Sequence, residues 1–294
     1  MNALRVCLLG FGEVGQALAP DLRPRVGALA ACDLKFADPA SAPSRAAVTL
    51  EIAAAADARC AVADADLVIS AVTAAQIGAA ARSVAPHLKP KAYFFDLNST
   101  SPAAKLEAAN IIDVAGGRFV EAAIMSPIAP RRTASPMLLG GTHAAEFMPL
   151  AGELGFTGAQ LFSGKLGAAS AAKMCRSVVV KGLEALMLES LLTARRHGVE
   201  ATVLESLQSL FPVDDWSGFA RYTISRALIH GARRAEEMRE AARTVAEAGL
   251  TPHMSSACAE WEHWASQHSG AAAHEKLEKV LDTLLMAQPR GAAP

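Results

Sequence analysis

Up to about residue 165 the chain alternates short apolar runs with Ala-rich stretches of helical character, the pattern of βαβ units feeding a parallel sheet. The predicted strands are Arg5–Leu9, Ala28–Asp33, Val48–Leu50, Leu67–Ala71, Tyr93–Asp96, Phe119–Ala122, Met137–Gly140 and Ala159–Phe162. Leu67-Val68-Ile69 and Tyr93-Phe94-Phe95 are apolar without alternation, as strands covered on both faces are, and both runs are too short for helices.

After Gly167 the texture changes. From Ala168 to His197 nothing breaks a helix, the stretch is apolar on nearly every side, and Gly198 after Arg195-Arg196-His197 supplies a stop. Its Lys181, Glu184 and Glu189 argue against a membrane span and for the buried helix of a globular domain. Further helices fit Glu200–Leu210, Trp216–Ala248 with an interruption at Gly231, His253–Ser266 and Ala273–Met286. The pattern predicts an α/β fold with two domains. A Rossmann-type doubly wound sheet occupies residues 1–166, an all-helical domain 167–287, and residues 288–294 form a disordered tail with nothing to bury.

Composition narrows the partners. The 294 residues carry 28 Lys+Arg against 29 Asp+Glu, a formal charge of −1, so no global field draws the chain to nucleic acid or an anionic membrane. A small molecule is the expected partner. The five cysteines (Cys7, Cys32, Cys60, Cys175, Cys258) are scattered, with no CxxC pair, which fits reduced thiols in a cytoplasmic protein. The apolar run Val6–Leu9 is too short for a signal peptide. His263 and His268 stand five apart, not at a helical metal-pair spacing, and no metal is expected.

Three motifs carry chemistry. Gly10-Phe11-Gly12-Glu13-Val14-Gly15 begins where the first strand ends and runs into a helical segment. Such glycines let the chain turn tightly, admit a pyrophosphate to the backbone and let helix and strand pack closely, while the helix N-terminus attracts the anion. Asp33 ends the second strand, where an acid accepts the ribose hydroxyls of a dinucleotide and repels a 2′-phosphate. NAD is therefore expected over NADP, although Lys35 would soften the repulsion and keeps NADP open. Ala71, Val72 and Thr73 after the fourth predicted strand, and Asn98 after the fifth, complete the expected cofactor residues.

The second motif, Asp96-Leu97-Asn98-Ser99-Thr100-Ser101-Pro102, is polar and turn-forming at the carboxyl end of a strand, where a doubly wound sheet places its ligand crevice. Ser101 before Pro102 equally reads as a helix cap, and both roles are compatible. The third runs from Gly164 through Gly167 to Lys173, with Lys173, Ser177 and Lys181 along one side of an otherwise apolar helix. A lysine in a partly dehydrated cleft is a general acid or base suited to hydride transfer, whereas the plain alternative is an interdomain ion pair or a side chain reaching solvent.

Together these motifs resemble the β-hydroxyacid dehydrogenase superfamily, which includes 3-hydroxyisobutyrate and 6-phosphogluconate dehydrogenases. Gly10, Gly12 and Gly15 match its GxGxxG; Asp96, Ser99 and Thr100 match its DxST-type loop; Gly164, Gly167 and Lys173 match its GxxGxGxxxKxxxN helix. The resemblance implies NAD- or NADP-dependent hydride transfer to or from a small 3-hydroxy acid or sugar acid, Lys173 as the catalytic acid/base, and a homodimer formed through the helical domain. Ser99, Ser126, Arg176, Ser177, His230 and Arg233 are the implied contacts to an anionic substrate.

Departures leave the substrate open. Where the family has Ser-Gly-Gly, this chain keeps Ser126 but follows it with Pro127, which has no N–H, and Ile128. Ser177, preceded by Arg176, stands where the family has Asn. The family's C-terminal Lys-Asp pair corresponds to Ser225–Glu237, with Glu236 at the Lys position; Arg226, His230, Arg233 and Arg234 retain cationic reach, or else pair with Glu236 and Glu237 on a solvated face. The departures point to a subgroup with a divergent C-terminal domain. Two other functions fit the same plan: an imine reductase, a class that typically lacks the catalytic lysine, and a non-catalytic dinucleotide sensor.

Overall fold

The computed structural model describes residues 4–211 and 213–287; the tail 288–294, expected to be disordered, lies outside the described residues. The chain divides into two compact units between Met174 and Cys175, a few residues inside the long helix rather than at its start.

The first unit is built on one eight-stranded sheet of β1 (Arg5–Leu9), β2 (Ala28–Cys32), β3 (Ala53–Ala54), β4 (Leu67–Ser70), β5 (Tyr93–Asp96), β6 (Arg118–Ile124), β7 (Met137–Gly140) and β8 (Ala159–Ser163). Its helices are α1 (Glu13–Leu22), α2 (Ala42–Thr49), α3 (Ala58–Val62), α4 (Ile77–Val84), α5 (Pro102–Val114) and α6 (Ala144–Glu153), and α7 (Ala168–His197) begins here. The strand order is β3-β2-β1-β4-β5-β6-β7-β8, and every pairing from β3 through β6 is parallel. This is the doubly wound order, with its switch point between β1 and β4, where ligands bind beyond the carboxyl ends of the strands.

In this unit two sequence expectations change. Val48–Leu50 is not a strand: Ser41 caps a helix that starts at Ala42 with Pro43 in its first turn, and Val48 lies exposed on it. The third strand is instead the short edge pair Ala53–Ala54. The sheet is also not wholly parallel, since β7 runs antiparallel to β6. The link between them holds only a 3₁₀ turn at Arg132–Ala134, with no crossover helix to carry the chain back across the sheet.

Both faces are covered, which explains the absence of alternation in β5. Phe94 packs on one side with Phe119, while Phe95 packs on the other with Phe147 and Phe156.

In the second unit the described residues form helices and turns only: the rest of α7, then α8 (Glu200–Leu210), α9 (Trp216–Glu247), α10 (His253–Ser266) and α11 (Leu277–Ala287). Leu188, Leu191, Ile224, Leu228, Val280 and Leu281 form its core. Gly231 does not interrupt α9; a Cβ there would lie 2.3 Å from the backbone oxygen of Glu262, so the glycine permits close approach of α10. The last helix starts at Leu277 rather than Ala273, which ends a 3₁₀ turn begun at Ser269. No helix among the described residues is long and apolar enough to cross a membrane.

Candidate functional site

The glycine loop sits between β1 and α1. Gly10 has φ +95°, its N–H reaches the Cys32 oxygen at 2.8 Å, and a Cβ there would strike the Ala71 oxygen at 2.4 Å. Only glycine fits that corner. A Cβ on Gly15 would lie 2.4 Å from the Gly10 oxygen, whereas one on Gly12 would meet nothing within 4 Å. Gly12 is the N-cap of α1 and offers no side chain to the first-turn N–H groups of Glu13, Val14 and Gly15. That leaves orphan donors and the positive end of a helix facing open space, the arrangement that receives a phosphate.

Asp33 is fixed beside this loop. Its carboxylate accepts the Phe11 N–H at 2.7 Å and the Lys35 N–H at 2.8 Å. The Phe11 ring is buried against Phe36, so Phe11 contributes its backbone and a wall. Ala71, Val72 and Thr73 follow β4 across the switch point, and Ala71 N–H bonds the Leu9 oxygen at 2.8 Å.

Beyond β5 lies a buried polar network that sequence analysis missed. Asp96 and Lys105 form an ion pair with no exposed side-chain surface. Asn98 donates to Asp96 and, at 2.9 Å, to Ser70 Oγ. Burial pushes the Asp96 carboxyl up from the ordinary carboxylate range, and Lys105 pulls it back. Pairing by Lys105 also satisfies a charge that would otherwise be prohibitive at the core. Asn98 Oδ1 is buried with no partner among the described residues. Ser101 caps α5 through the Ala104 N–H, as its place before Pro102 predicts. The signal for Lys105 was a charge on the inward face of a helix starting six residues after a strand-end Asp.

Next to Asn98, Ser99 accepts from Lys173 Nζ at 2.5 Å, and both residues are partly buried. The start of α7 is held by Glu121 of β6, another fully buried carboxyl that sequence analysis left unremarked; it accepts the Gly167 and Ser170 N–H groups at 2.7 and 2.6 Å. A carboxylate inside the run Phe119–Ala122, whose other residues are apolar, was the available signal. Gly164 precedes this turn on the exposed side.

Ser126 leaves β6 partly buried, its Oγ donating to the Pro127 oxygen at 3.0 Å. The remaining expected substrate residues belong to the second unit. Arg176 is exposed, and Ser177 is buried, accepting from Lys181 at 3.2 Å. Lys181 pairs with Glu237 at 2.9 Å, and Glu237 also holds Arg233 at 2.6 Å. His230 lies 2.8 Å from Arg226. The arginines therefore pair four residues on or with another helix, Arg234 meeting Glu184 in the interior, rather than three residues on. No group of three or more His, Cys, Asp or Glu among the described residues could hold a metal.

Residues 5–159 match the family model of the NAD binding domain of 6-phosphogluconate dehydrogenase, and residues 194–265 match a domain of unknown function, DUF1932. A conserved hypothetical protein from Sinorhizobium meliloti 1021 is 36% identical, with 96% of each chain covered and a TM-score of 0.74. The conserved protein MTH1747, of unknown function and described as structurally similar to 3-hydroxyacid dehydrogenases, is 31% identical over 90% of this chain and 99% of its own, with a TM-score of 0.67. Mycobacterium tuberculosis 3-hydroxyisobutyrate dehydrogenase shares the fold at 19% identity, covering 96% of this chain and 99% of its own, with a TM-score of 0.69. A Streptomyces aurantiacus imine reductase shares it at 17% and 0.54, over 96% and 99%. The chain thus belongs to the β-hydroxyacid dehydrogenase superfamily, in a branch that joins the NAD binding domain of 6-phosphogluconate dehydrogenase to a C-terminal domain of unknown function.

Proposed function

We propose that this protein is an NAD-dependent dehydrogenase that oxidises a small 3-hydroxy acid or sugar acid and runs the reaction in reverse. The observation that carries this is Lys173 Nζ held at Ser99 Oγ within the same compact unit as the glycine loop. A lysine in that place is what separates an alcohol dehydrogenation from imine reduction or from mere dinucleotide sensing.

The residues fit the cofactor. The open side of Gly12 admits a pyrophosphate to the first turn of α1, Asp33 is oriented for ribose hydroxyls, and the unpartnered Asn98 Oδ1 offers an acceptor for a carboxamide N–H. Ala71, Val72 and Thr73 supply backbone across the switch point. A fixed carboxylate at Asp33 favours NAD over NADP. When bound, NAD supplies the acceptor for the substrate's C3 hydride. Lys173, neutral, takes the hydroxyl proton as the carbonyl forms and returns it in the reductive direction. Ser99 accepts from Lys173 and keeps its own O–H as a donor to the substrate oxygen, and Ser126 orients the substrate from the end of β6.

The five free cysteines fit a reducing, cytoplasmic setting. A homodimer follows from the superfamily's habit and is supported by Val179, Leu183 and Leu186, exposed apolar residues at helical spacing on α7. Conversion of a dimer to monomer by Leu183→Asp in light scattering supports that surface.

The test is a spectrophotometric screen of 3-hydroxy acids, sugar acids and cyclic imines with NAD and NADP in parallel, on wild type and Lys173→Met. Turnover of a hydroxy acid that Lys173→Met loses while still binding NAD supports the proposal. Full turnover by that variant overturns it.

A further inference from the structure

Asp96 and Glu121 are register partners on the adjacent parallel strands β5 and β6, so two buried carboxyls stand side by side at the carboxyl end of the sheet. Each holds a different piece of backbone. Asp96, through Asn98, holds the loop that presents Ser99. Glu121 holds the first turn of α7, its two oxygens taking the N–H groups of Gly167 and Ser170, donors that no intrahelical carbonyl can satisfy. Ser170 is one turn before Lys173, the residue that reaches back to Ser99.

The neighbours make room for this anchor. Gly140 faces Glu121 across the β6–β7 pair, and a Cβ there would lie 2.9 Å from Glu121 Oε2. Gly167 has φ +88°, and a Cβ on it would press on Pro102 at the head of α5. The turn is thus pinned by two hydrogen bonds to one side chain, with glycines where side chains would displace it. A hydrophobic residue at 121 would serve the sheet as well, as Phe119 and Val120 do; two convergent acceptors serve the helix start.

We propose that Glu121 is a positioning residue that sets the place of Lys173, by fixing the first turn of α7 through Gly167 and Ser170. The chemical consequence rests on the dehydrogenase proposal above, while the positional claim stands without it.

The experiment measures Lys173 directly. Full-length wild type, Glu121→Gln and Ser99→Ala are labelled with acetic anhydride across a range of pH without substrate, and acetylation at Lys173 is read by mass spectrometry against exposed Lys165. In Glu121→Gln one acceptor becomes a donor facing an N–H, so the turn shifts and Lys173 leaves Ser99. Its labelling then rises roughly fivefold relative to Lys165, the population change that one lost hydrogen bond allows, and its pH profile moves towards that of Ser99→Ala. Should Glu121→Gln fail to fold, Gly140→Ala, which displaces Oε2 and leaves the carboxyl in place, gives the same change in smaller degree. Lys173 labelling and pH profile identical to wild type in the folded variant overturn the proposal. A wild type without turnover on any substrate sinks the dehydrogenase proposal alone, because the labelling needs no catalysis.

Discussion

Lys173 Nζ and Ser99 Oγ meet at 2.5 Å across 74 positions of chain, joining the second turn of α7 to the loop that leaves β5. Neither residue is placed by its neighbours in sequence alone. Ser99 is held by the network of Asp96, Asn98, Ser70 and Lys105 beneath it, and Lys173 by a helix whose first turn is bound to β6.

Removal of the serine hydroxyl separates orientation from binding. Ser99→Ala is expected to lower kcat/KM by about tenfold to a hundredfold, the worth of a hydrogen bond to the charge that develops on Lys173 as it takes the proton, with the dinucleotide Kd unchanged. Steady-state kinetics and fluorescence titration check both numbers, and a kcat/KM at the wild-type level removes Ser99 from the reacting geometry.

The glycines of the first loop make opposite predictions. At Gly10 an alanine would need φ +95° and would collide with the Ala71 oxygen, so Gly10→Ala should destabilise the protein by about 2–4 kcal/mol in chemical denaturation. At Gly12 the backbone sits at φ −78° and ψ −153°, and a Cβ meets nothing. Gly12→Ala is expected to keep stability to within about 1 kcal/mol yet bind dinucleotide at least about tenfold more weakly, because its methyl stands where phosphate approaches the helix. Unaltered NAD affinity in this variant would falsify the placement of the pyrophosphate.

Asp33 decides between the two nicotinamide cofactors. In Asp33→Asn the charge facing a 2′-phosphate is gone, and the ratio of NADP to NAD specificity constants is expected to rise about tenfold, or 1.4 kcal/mol. Parallel kinetics with the two cofactors measure it; an unchanged ratio means that Asp33 does not face the ribose.

A pH dependence arises in the second unit. Burial, with the adjacent Glu184 carboxyl, pushes Glu262 up to about 8, against the pull of Arg234 and Lys181. Lys181 and Glu184 face it from α7 and Arg234 from α9, with Cys258 on its own helix. Its folded pKa is above its unfolded value near 4.5, so its contribution to stability is full below that value and is lost as pH rises through about 8. Glu262→Gln removes the titration and leaves a donor towards Glu184. The melting temperature of the variant relative to wild type should therefore increase between pH 6 and pH 9; a constant difference would show that Glu262 is already ionised at pH 6.

Much of the fold is legible because it is written in local periodicity. The run Ala168–His197, with a basic last turn and Gly198 after it, is one helix with those bounds. Gly10, Gly12, Gly15 and Asp33 describe their own corner because a tight turn, a helix start and a strand end are all local features. Val48 misled for the same reason: it is apolar and β-branched but follows the Ser41 cap that had already committed the segment to helix.

The amino-acid order by itself determined the doubly wound sheet, the glycine corner, the helical second unit and the presence of a lysine near the head of its longest helix, since each follows from spacing along the chain. Tertiary structure alone decided that β7 turns back antiparallel, that Asp96 is neutralised by Lys105, that Glu121 binds the start of α7, and that Lys173 thereby reaches Ser99. Those are contacts between residues 9 to 74 positions apart, and nothing in local propensity fixes which buried charge will meet which partner.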